Sequence, residues 1–258
     1  MLECWLRHAS HTIEKHQIQL AFHAAEESTS AGGTFKGRQW LAGTRESKLY
    51  LMEYLRATAK STANDLVLFT DLDVLPLNDY IQLAEHFIER ERTSPRAPEI
   101  LFLREPPNHC GMTNWVANTG LILMRNNFRV RSFWFFVLSS TRGSRVYEQD
   151  IANLLLTKRL KPKDLDWGLL HEGLATAQLE RVTSETVAFH AIGVSGAAKF
   201  ELLHEAWKRS AQAKNAFACG ASRSGNNATV PSEWMRRRKG RLKAAEARFA
   251  CRRGLRNT

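Results

Sequence analysis

The sequence predicts an α/β domain with an open, mainly parallel sheet flanked by helices. Three apolar runs of strand length, DLVLFT, EILFL and VANTGLILM, alternate with segments whose apolar residues recur at helical spacing. Continuous apolar runs are typical of strands buried on both faces of a parallel sheet. Strands that alternate with helices in this way are typical of the α/β class.

Each element follows from the spacing of its apolar residues. In KLYLMEYLRATA, Leu49, Met52 and Leu55 form a helical stripe, and Asn78 or Asp79 can cap the helix YIQLAEHFIERER. The predicted elements in chain order are helix 3–15, strand 17–23, helix 48–59, strand 65–70, helix 80–92, strands 99–103 and 116–124, helices 128–138 and 147–160, strand 186–193 and helix 199–210.

The net charge of +11 is concentrated at the carboxyl-terminal end of the chain. Residues 201–258 carry 14 Lys and Arg against 4 Glu, whereas residues 1–200 are nearly balanced, with 23 basic and 22 acidic residues. We therefore expect a folded domain over residues 1–212 and a basic linker and tail over residues 213–258. We interpret the tail as a solvated extension; binding to nucleic acid or to an anionic surface is the alternative.

Cysteine spacing and apolar run length exclude two further classes. The four cysteines have no C-x-x-C spacing, which argues against a zinc ribbon. The longest apolar run, Phe133 to Leu138, is far shorter than the roughly 20 residues that a membrane span needs.

The first apolar run ends in an Asp-Leu-Asp triplet. If the strand stays extended, Asp71 and Asp73 point the same way, at the carboxyl end of a central strand, where open α/β sheets bind ligands. Two converging carboxylates suit Mn²⁺ or Mg²⁺. The alternative is that both are turn or cap residues ahead of the next helix.

Two segments further along the chain add polar groups. VANTGLILM places Asn118 and Gly120 at a strand start. There Asn118 could donate a hydrogen bond to a hydroxyl group of a ligand, and Gly120, which has no side chain, would let the ligand come close to the backbone. YEQDIANLLL places Glu148, Gln149 and Asp150 in the first turn of a helix, where carboxylates suit the helix dipole. The alternative for this second segment is N-terminal capping alone.

A third segment follows the strand predicted at 186–193. It contains His190, and then Gly193, Gly196 and Lys199. A neutral imidazole can complete the coordination of a metal. The glycine amides could approach a diphosphate, with Lys199 adding positive charge. A purely structural role is the alternative for His190.

Taken in this order, these motifs resemble those of the nucleotide-diphospho-sugar transferases with the glycosyltransferase-A fold, over roughly residues 17–205. The resemblance implies that Asp71, Asp73 and His190 bind Mn²⁺ (or Mg²⁺) on the diphosphate of a nucleotide-sugar donor, such as a UDP-sugar. It implies that Lys199 contacts phosphate. The residues that would surround the donor are Asn118, Gly120, Gln149, Gly193 and Gly196, with Glu148 and Asp150 as the catalytic candidates.

The resemblance also bears on the chain's ends and on its location. In such transferases a first strand and its loop hold the nucleotide, whereas this chain opens in what is predicted to be the following helix. We therefore expect an N-terminally truncated domain whose first strand is missing. The resemblance implies the Golgi or another secretory lumen, although the sequence contains no recognisable signal or anchor, and it leaves the glycan or protein acceptor open.

A haloacid-dehalogenase-like phosphatase is the enzymatic alternative. FTDLDVL also fits the D-x-D strand end of that family. In that case Asp71 would be a covalent nucleophile and Asp73 a general acid and base.

Overall fold

Two small β-sheets and five α-helices make up the part of the chain that the structure describes. The structure is a computed structural model, and it describes residues 38–60, 65–71, 73–106, 116–142, 146–157, 165–192 and 197–210. The helices are α1 (Arg38–Ala57), α2 (Ile81–Thr93), α3 (Phe128–Thr141), α4 (Glu148–Thr157) and α5 (Ala197–Arg209), with one 3-10 turn, Leu179–Arg181. The strands are β1 (Leu66–Thr70), β2 (Val74–Pro76), β3 (Ile100–Arg104), β4 (Ala117–Arg125), β5 (Trp167–Leu169), β6 (Ala175–Thr176) and β7 (Ala188–His190).

The larger sheet has the strand order β1-β4-β3-β5, so within the described residues β1 is the outermost strand and not the central strand that the sequence analysis expected. Strand β4 pairs antiparallel with both β1 and β3, and β3 pairs parallel with β5. Strands β1, β3 and β5 therefore point the same way, and β4 runs against them. Their carboxyl ends lie at one edge of the sheet, together with the amino end of β4.

The smaller sheet has the order β2-β7-β6, with β2 and β7 antiparallel and β6 and β7 parallel. The prediction of one mainly parallel sheet is therefore corrected, because three of the five strand pairings are antiparallel. An apolar run reports burial on both faces and carries no information about strand direction. The α/β class itself is confirmed.

Helices cover both faces of the larger sheet. Even-numbered apolar side chains of β3 and of the second half of β4 pack with α1, α3 and α4, and odd-numbered ones pack with α2, as the two-residue period of a strand requires. Ala117, beyond the register shift between Phe102 and Leu103, packs with the first group. The first layer contains Ile100, Phe102, Ile122, Met124 and the fully buried Trp134; the second contains Leu101, Leu103, Leu121, Leu123 and Phe87. This double burial explains the apolar runs in the sequence.

Most of the predicted elements that fall on described residues are confirmed, with shifts of a few residues at their ends. Helix α1 begins ten residues before its predicted start, and β2, β5 and β6 were not predicted, because runs of two or three residues are too short to show a period. Of the two predicted cap residues, Asp79 accepts the N–H of Ile81 (3.1 Å), whereas the Asn78 amide bonds the carbonyls of Ser184 and Thr186.

Several predictions fall outside the described residues. These are the elements at 3–15 and 17–23, the missing first strand, the domain boundary near residue 212 and the basic tail, all of which stay predictions. Within the described ranges, no helix is both long enough and apolar enough to cross a bilayer.

Candidate functional site

Two strand pairings bring the acidic pair and the histidine together. Asp71 directly follows β1, and its N–H donates to the carbonyl of Gly120 on β4 (2.8 Å). The chain then turns, with the N–H of Val74 donating to the carbonyl of Asp71 (3.1 Å), and enters β2. Val74 lies opposite His190 in the β2–β7 pair, so Asp73 is placed beside the imidazole. The two carboxylates thus converge through a tight turn, and not through the extended strand that the sequence analysis assumed.

The three residues predicted to bind metal form one cluster. Asp71, Asp73 and His190 each offer a ligand atom, and these atoms lie within 4.8 Å of one another. His190 is 6% exposed, whereas the carboxylate side chains are 31% and 25% exposed. The cluster therefore has a buried imidazole side and a side that opens to solvent, on which further ligands can bind.

Two lysines neutralise the carboxylates in the structure. Lys48 Nζ lies 3.2 Å from Asp71 Oδ1, and Lys199 Nζ bonds Asp73 Oδ2. The second oxygen of Asp73 lies 3.1 Å from Nε2 of His190. Lys199, predicted to contact a phosphate, is thus placed directly on one of the predicted metal ligands.

The environment shifts the two carboxyl pKa values in opposite directions. Burial raises the pKa of Asp71, and the charge of Asp73 adds to this, while Lys48 and His190 act against it. Burial also opposes ionisation of Asp73, but His190 and Lys199 outweigh it and hold the pKa of Asp73 well below its ordinary value. Two neighbouring carboxylates need nearby cations to stay ionised, and a divalent ion would satisfy both.

Lys48 was not singled out from the sequence. Its side chain is only 1% exposed, and Nζ lies 4.1 Å from the centre of the Phe69 ring. It belongs to the face of α1 that also buries Leu51 and Leu55. Lys48 precedes Leu51 by three positions and Leu55 by seven, so it lies on the same helical stripe as these two leucines. A charged residue on an apolar stripe is the sequence signal that could have identified Lys48.

A buried polar network lies behind the histidine. Asn118 Nδ2 donates to Glu105 Oε2 (2.7 Å), and Gln149 Nε2 donates to the same oxygen (3.1 Å). Burial raises the pKa of Glu105, opposed mainly by the bonds from Asn118 and Gln149 and by the charge of His190. Glu105 was also missed; its position just after β3, at the carboxyl-end edge, is the sequence signal that could have identified it.

Gly120 is packed against His190. A Cβ atom at this position would lie 2.2 Å from Cε1 of the imidazole, so only glycine leaves room for the ring. The close approach predicted for Gly120 is therefore made by the imidazole.

The two catalytic candidates lie in the first turn of α4. Glu148 is buried and accepts a hydrogen bond from Thr119 Oγ1 (3.3 Å), while its Oε2 has no hydrogen-bond partner among the described residues. Burial raises the pKa of Glu148, and the charge of Lys48 acts against it. Asp150 is half-buried two residues further along the helix. Gly193 and Gly196 lie outside the described residues, so their contacts with a diphosphate stay predictions.

A cleft of about 560 Å³ opens at the same edge of the larger sheet, where β3 and β5 end. Its polar lining includes Arg104 and Glu172, which form an ion pair (2.7 Å), together with His86 and His171. The cleft thus places donors and acceptors of hydrogen bonds at the edge that carries the acidic pair.

Comparison with known proteins identifies the kind of fold. The crystal structure of a glycosyltransferase involved in the glycosylation of the major capsid of PBCV-1 matches with a TM-score of 0.51 and 15% sequence identity. The match covers 77% of this chain and 89% of that one. No family model and no curated protein matches the chain. The chain therefore has a glycosyltransferase-like fold.

Proposed function

We propose that this protein is a metal-dependent glycosyltransferase that moves a sugar from a nucleotide-diphosphate donor to an acceptor hydroxyl. The observation that carries the proposal is the cluster of Asp71, Asp73 and His190 at the strand ends of a glycosyltransferase-like fold. Open α/β sheets bind their ligands at this edge. The haloacid-dehalogenase-like alternative is not favoured, because a solved structure with a similar fold is that of a glycosyltransferase.

The chemistry of the three side chains fits a divalent cation. Two carboxylates and one imidazole supply hard oxygen ligands and one nitrogen, and the exposed side of the cluster has room for water and phosphate oxygens. We favour Mn²⁺ over Mg²⁺ because Mg²⁺ is bound mainly through carboxylates, phosphates and water. When bound, the metal supplies Lewis-acid neutralisation of the departing nucleoside diphosphate.

The chain's own charges would act on the same leaving group. Lys199 lies at Asp73 on the exposed side, where a phosphate oxygen can reach its ammonium group. Lys48 adds a fixed, buried cation behind Asp71. Preorganised charges of this kind stabilise a developing negative charge without reorganisation during the reaction.

Glu148 and Asp150 remain the two candidates for orienting the donor sugar or for accepting the proton of the attacking hydroxyl. Glu148 is buried, its Oε2 has no hydrogen-bond partner among the described residues, and burial raises its pKa, as is common for groups that exchange protons during catalysis. An acceptor would approach along the sheet edge that carries the cleft around Arg104 and His171.

The test is Mn²⁺-dependent cleavage of UDP-sugars, measured as UDP released when water takes the place of the unknown acceptor. We expect cleavage by the full-length form of the protein and none by its Asp71→Ala or Asp73→Ala variants. Asp65→Ala is the matched control, since Asp65 is an exposed residue at the other end of β1, and it should retain the wild-type rate. Wild-type rates in Asp71→Ala or Asp73→Ala would remove the site. Metal-dependent hydrolysis of p-nitrophenyl phosphate that is lost in Asp71→Ala would instead support a phosphatase.

A further inference from the structure

The side-chain amide of Asn118 is held at both of its ends. Nδ2 donates to Glu105 Oε2 (2.7 Å), and Oδ1 accepts the backbone N–H of Gly120 (2.9 Å). A backbone N–H can only donate and an ionised carboxylate can only accept, so a reversed amide would lose both bonds. The amide oxygen is therefore the end that faces the neighbouring imidazole.

This orientation determines which nitrogen of His190 carries hydrogen. Nδ1 lies 3.0 Å from Asn118 Oδ1, and because an amide oxygen only accepts, Nδ1 must donate. Nε2 lies on the other side of the ring, 3.1 Å from Asp73 Oδ1. Without metal, both ring nitrogens therefore face acceptors, and Nε2 donates to Asp73; a cation at the acidic pair would take the place of the hydrogen on Nε2, while Nδ1 keeps its hydrogen for Asn118.

Glu105 is itself held by a second residue. Gln149 Nε2 donates to the same Glu105 oxygen (3.1 Å), and Gln149 Oε1 accepts the N–H of Thr119 (3.0 Å). Asn118 and Gln149 are both buried and Glu105 is half-buried, which limits the access of water to these bonds. A continuous set of hydrogen bonds thus runs from the first turn of α4, through Glu105 and Asn118, to the imidazole.

We propose that Asn118 and Glu105 are positioning residues that orient His190 so that its Nε2 is available to a divalent cation. Partners that accept the second ring hydrogen of a metal-binding histidine set its tautomer and its ring orientation. The assignment rests on the proposed metal site and gives Asn118 a role in addition to the donor-sugar contact predicted from the sequence. It also gives a function to Glu105, which the three-ligand cluster leaves unexplained.

The test is a titration with Mn²⁺ alone, followed by electron paramagnetic resonance. Asn118→Leu removes the acceptor for Nδ1, and we expect Mn²⁺ affinity to fall about 10- to 100-fold, the usual effect of losing such a partner. Electron spin-echo measurements on the Mn²⁺ complex should show coupling to an imidazole ¹⁴N nucleus in the wild type. That coupling should be lost in His190→Ala and strongly reduced in Asn118→Leu.

Asn126→Leu is the matched control. Asn126 lies just past the other end of β4, is fully buried, and bonds Thr58 and Arg131 through the two ends of its amide. Its replacement should destabilise the fold by a comparable amount and leave both Mn²⁺ affinity and nitrogen coupling unchanged. Thermal unfolding of each variant establishes that it is folded.

A second pair of variants tests Glu105 and serves if Asn118→Leu does not fold. Glu105→Gln keeps an oxygen that can accept from Asn118 and Gln149, and it should bind Mn²⁺ nearly as tightly as the wild type. Glu105→Leu has no acceptor and should bind Mn²⁺ more weakly, with reduced nitrogen coupling.

The outcomes separate the two proposals. A wild-type chain without Mn²⁺ binding or without imidazole coupling overturns the metal site itself. Suppose instead that the wild type binds Mn²⁺ and shows imidazole coupling. If Asn118→Leu then has the same Mn²⁺ affinity and coupling as Asn126→Leu, and Glu105→Leu the same as Glu105→Gln, the metal site stands and the positioning role is refuted.

Discussion

Replacing Gly120 with alanine is expected to disrupt the site from within the sheet. The new Cβ would lie 2.2 Å from Cε1 of His190 and 2.8 and 2.9 Å from its ring nitrogens, all too short for non-bonded contact. The ring cannot relax easily, because it is buried and hydrogen-bonded to Asn118 and Asp73. We therefore expect the imidazole to leave its place beside the acidic pair.

The size of the effect follows from two contributions. Inserting a methyl group into a packed interior costs about 1–3 kcal/mol of folding free energy. The second contribution appears only with metal. At a free Mn²⁺ concentration 100 times its Kd, binding stabilises the wild type by about 2.7 kcal/mol. A 10- or 100-fold weaker site at the same concentration would contribute about 1.4 or 0.4 kcal/mol.

The assay is urea unfolding followed by tryptophan fluorescence, once with EDTA and once with excess Mn²⁺. Gly43→Ala in α1 is the matched control, because no atom of the described residues lies within 4 Å of its added Cβ. That change should stabilise the helix by up to about 1 kcal/mol. It should leave unchanged the Mn²⁺ increment, which is the gain in unfolding free energy when EDTA is replaced by excess Mn²⁺. A Gly120→Ala chain with wild-type stability and a full Mn²⁺ increment would refute the packing of His190 on Gly120.

Two further predictions concern the charges around the acidic pair. Lys48→Met removes the buried partner of Asp71 and should lower stability in EDTA by about 1–3 kcal/mol. The Mn²⁺ increment should be larger than in the wild type, because no ammonium group competes for Asp71; equal increments in urea unfolding would contradict this. The lowered pKa of Asp73 means that its stabilisation is complete above about pH 3.8, the ordinary value, and is lost as the pH falls towards the lowered one. The stability gap between wild type and Asp73→Asn, measured in EDTA, should therefore be full at pH 7 and narrow below pH 3.8, whereas a constant gap would show that Asp73 is not stabilised in its ionised form.

Local sequence patterns were sufficient to predict most of the elements and part of the site. Strands β3 and β4 are buried between helix layers and β1 is half-buried beside β4, so each appears as an apolar run, and α2 to α5 show the helical repeat of apolar residues. The acidic pair could be recognised because Asp71 and Asp73 are neighbours in the chain and directly follow one of these runs. Such signals depend only on residues that are close in sequence.

Strand pairing, by contrast, was decided in three dimensions. His190 is 117 positions from Asp73, and only the antiparallel pairing of β2 with β7 brings them together. The three-residue β2 is too short to show a period, so the sequence did not predict the turn that directs both carboxylates to one point.

The sequence by itself determined which residue types could form the site: two carboxylates at a strand end, an imidazole and a lysine. Only the tertiary structure decided that Lys48 lies buried against Asp71 and that Glu105 and Asn118 stand behind His190. The physical reason is that hydrogen bonds and ion pairs between distant segments depend on strand order and direction, and neither is encoded in a local pattern of apolar and polar residues.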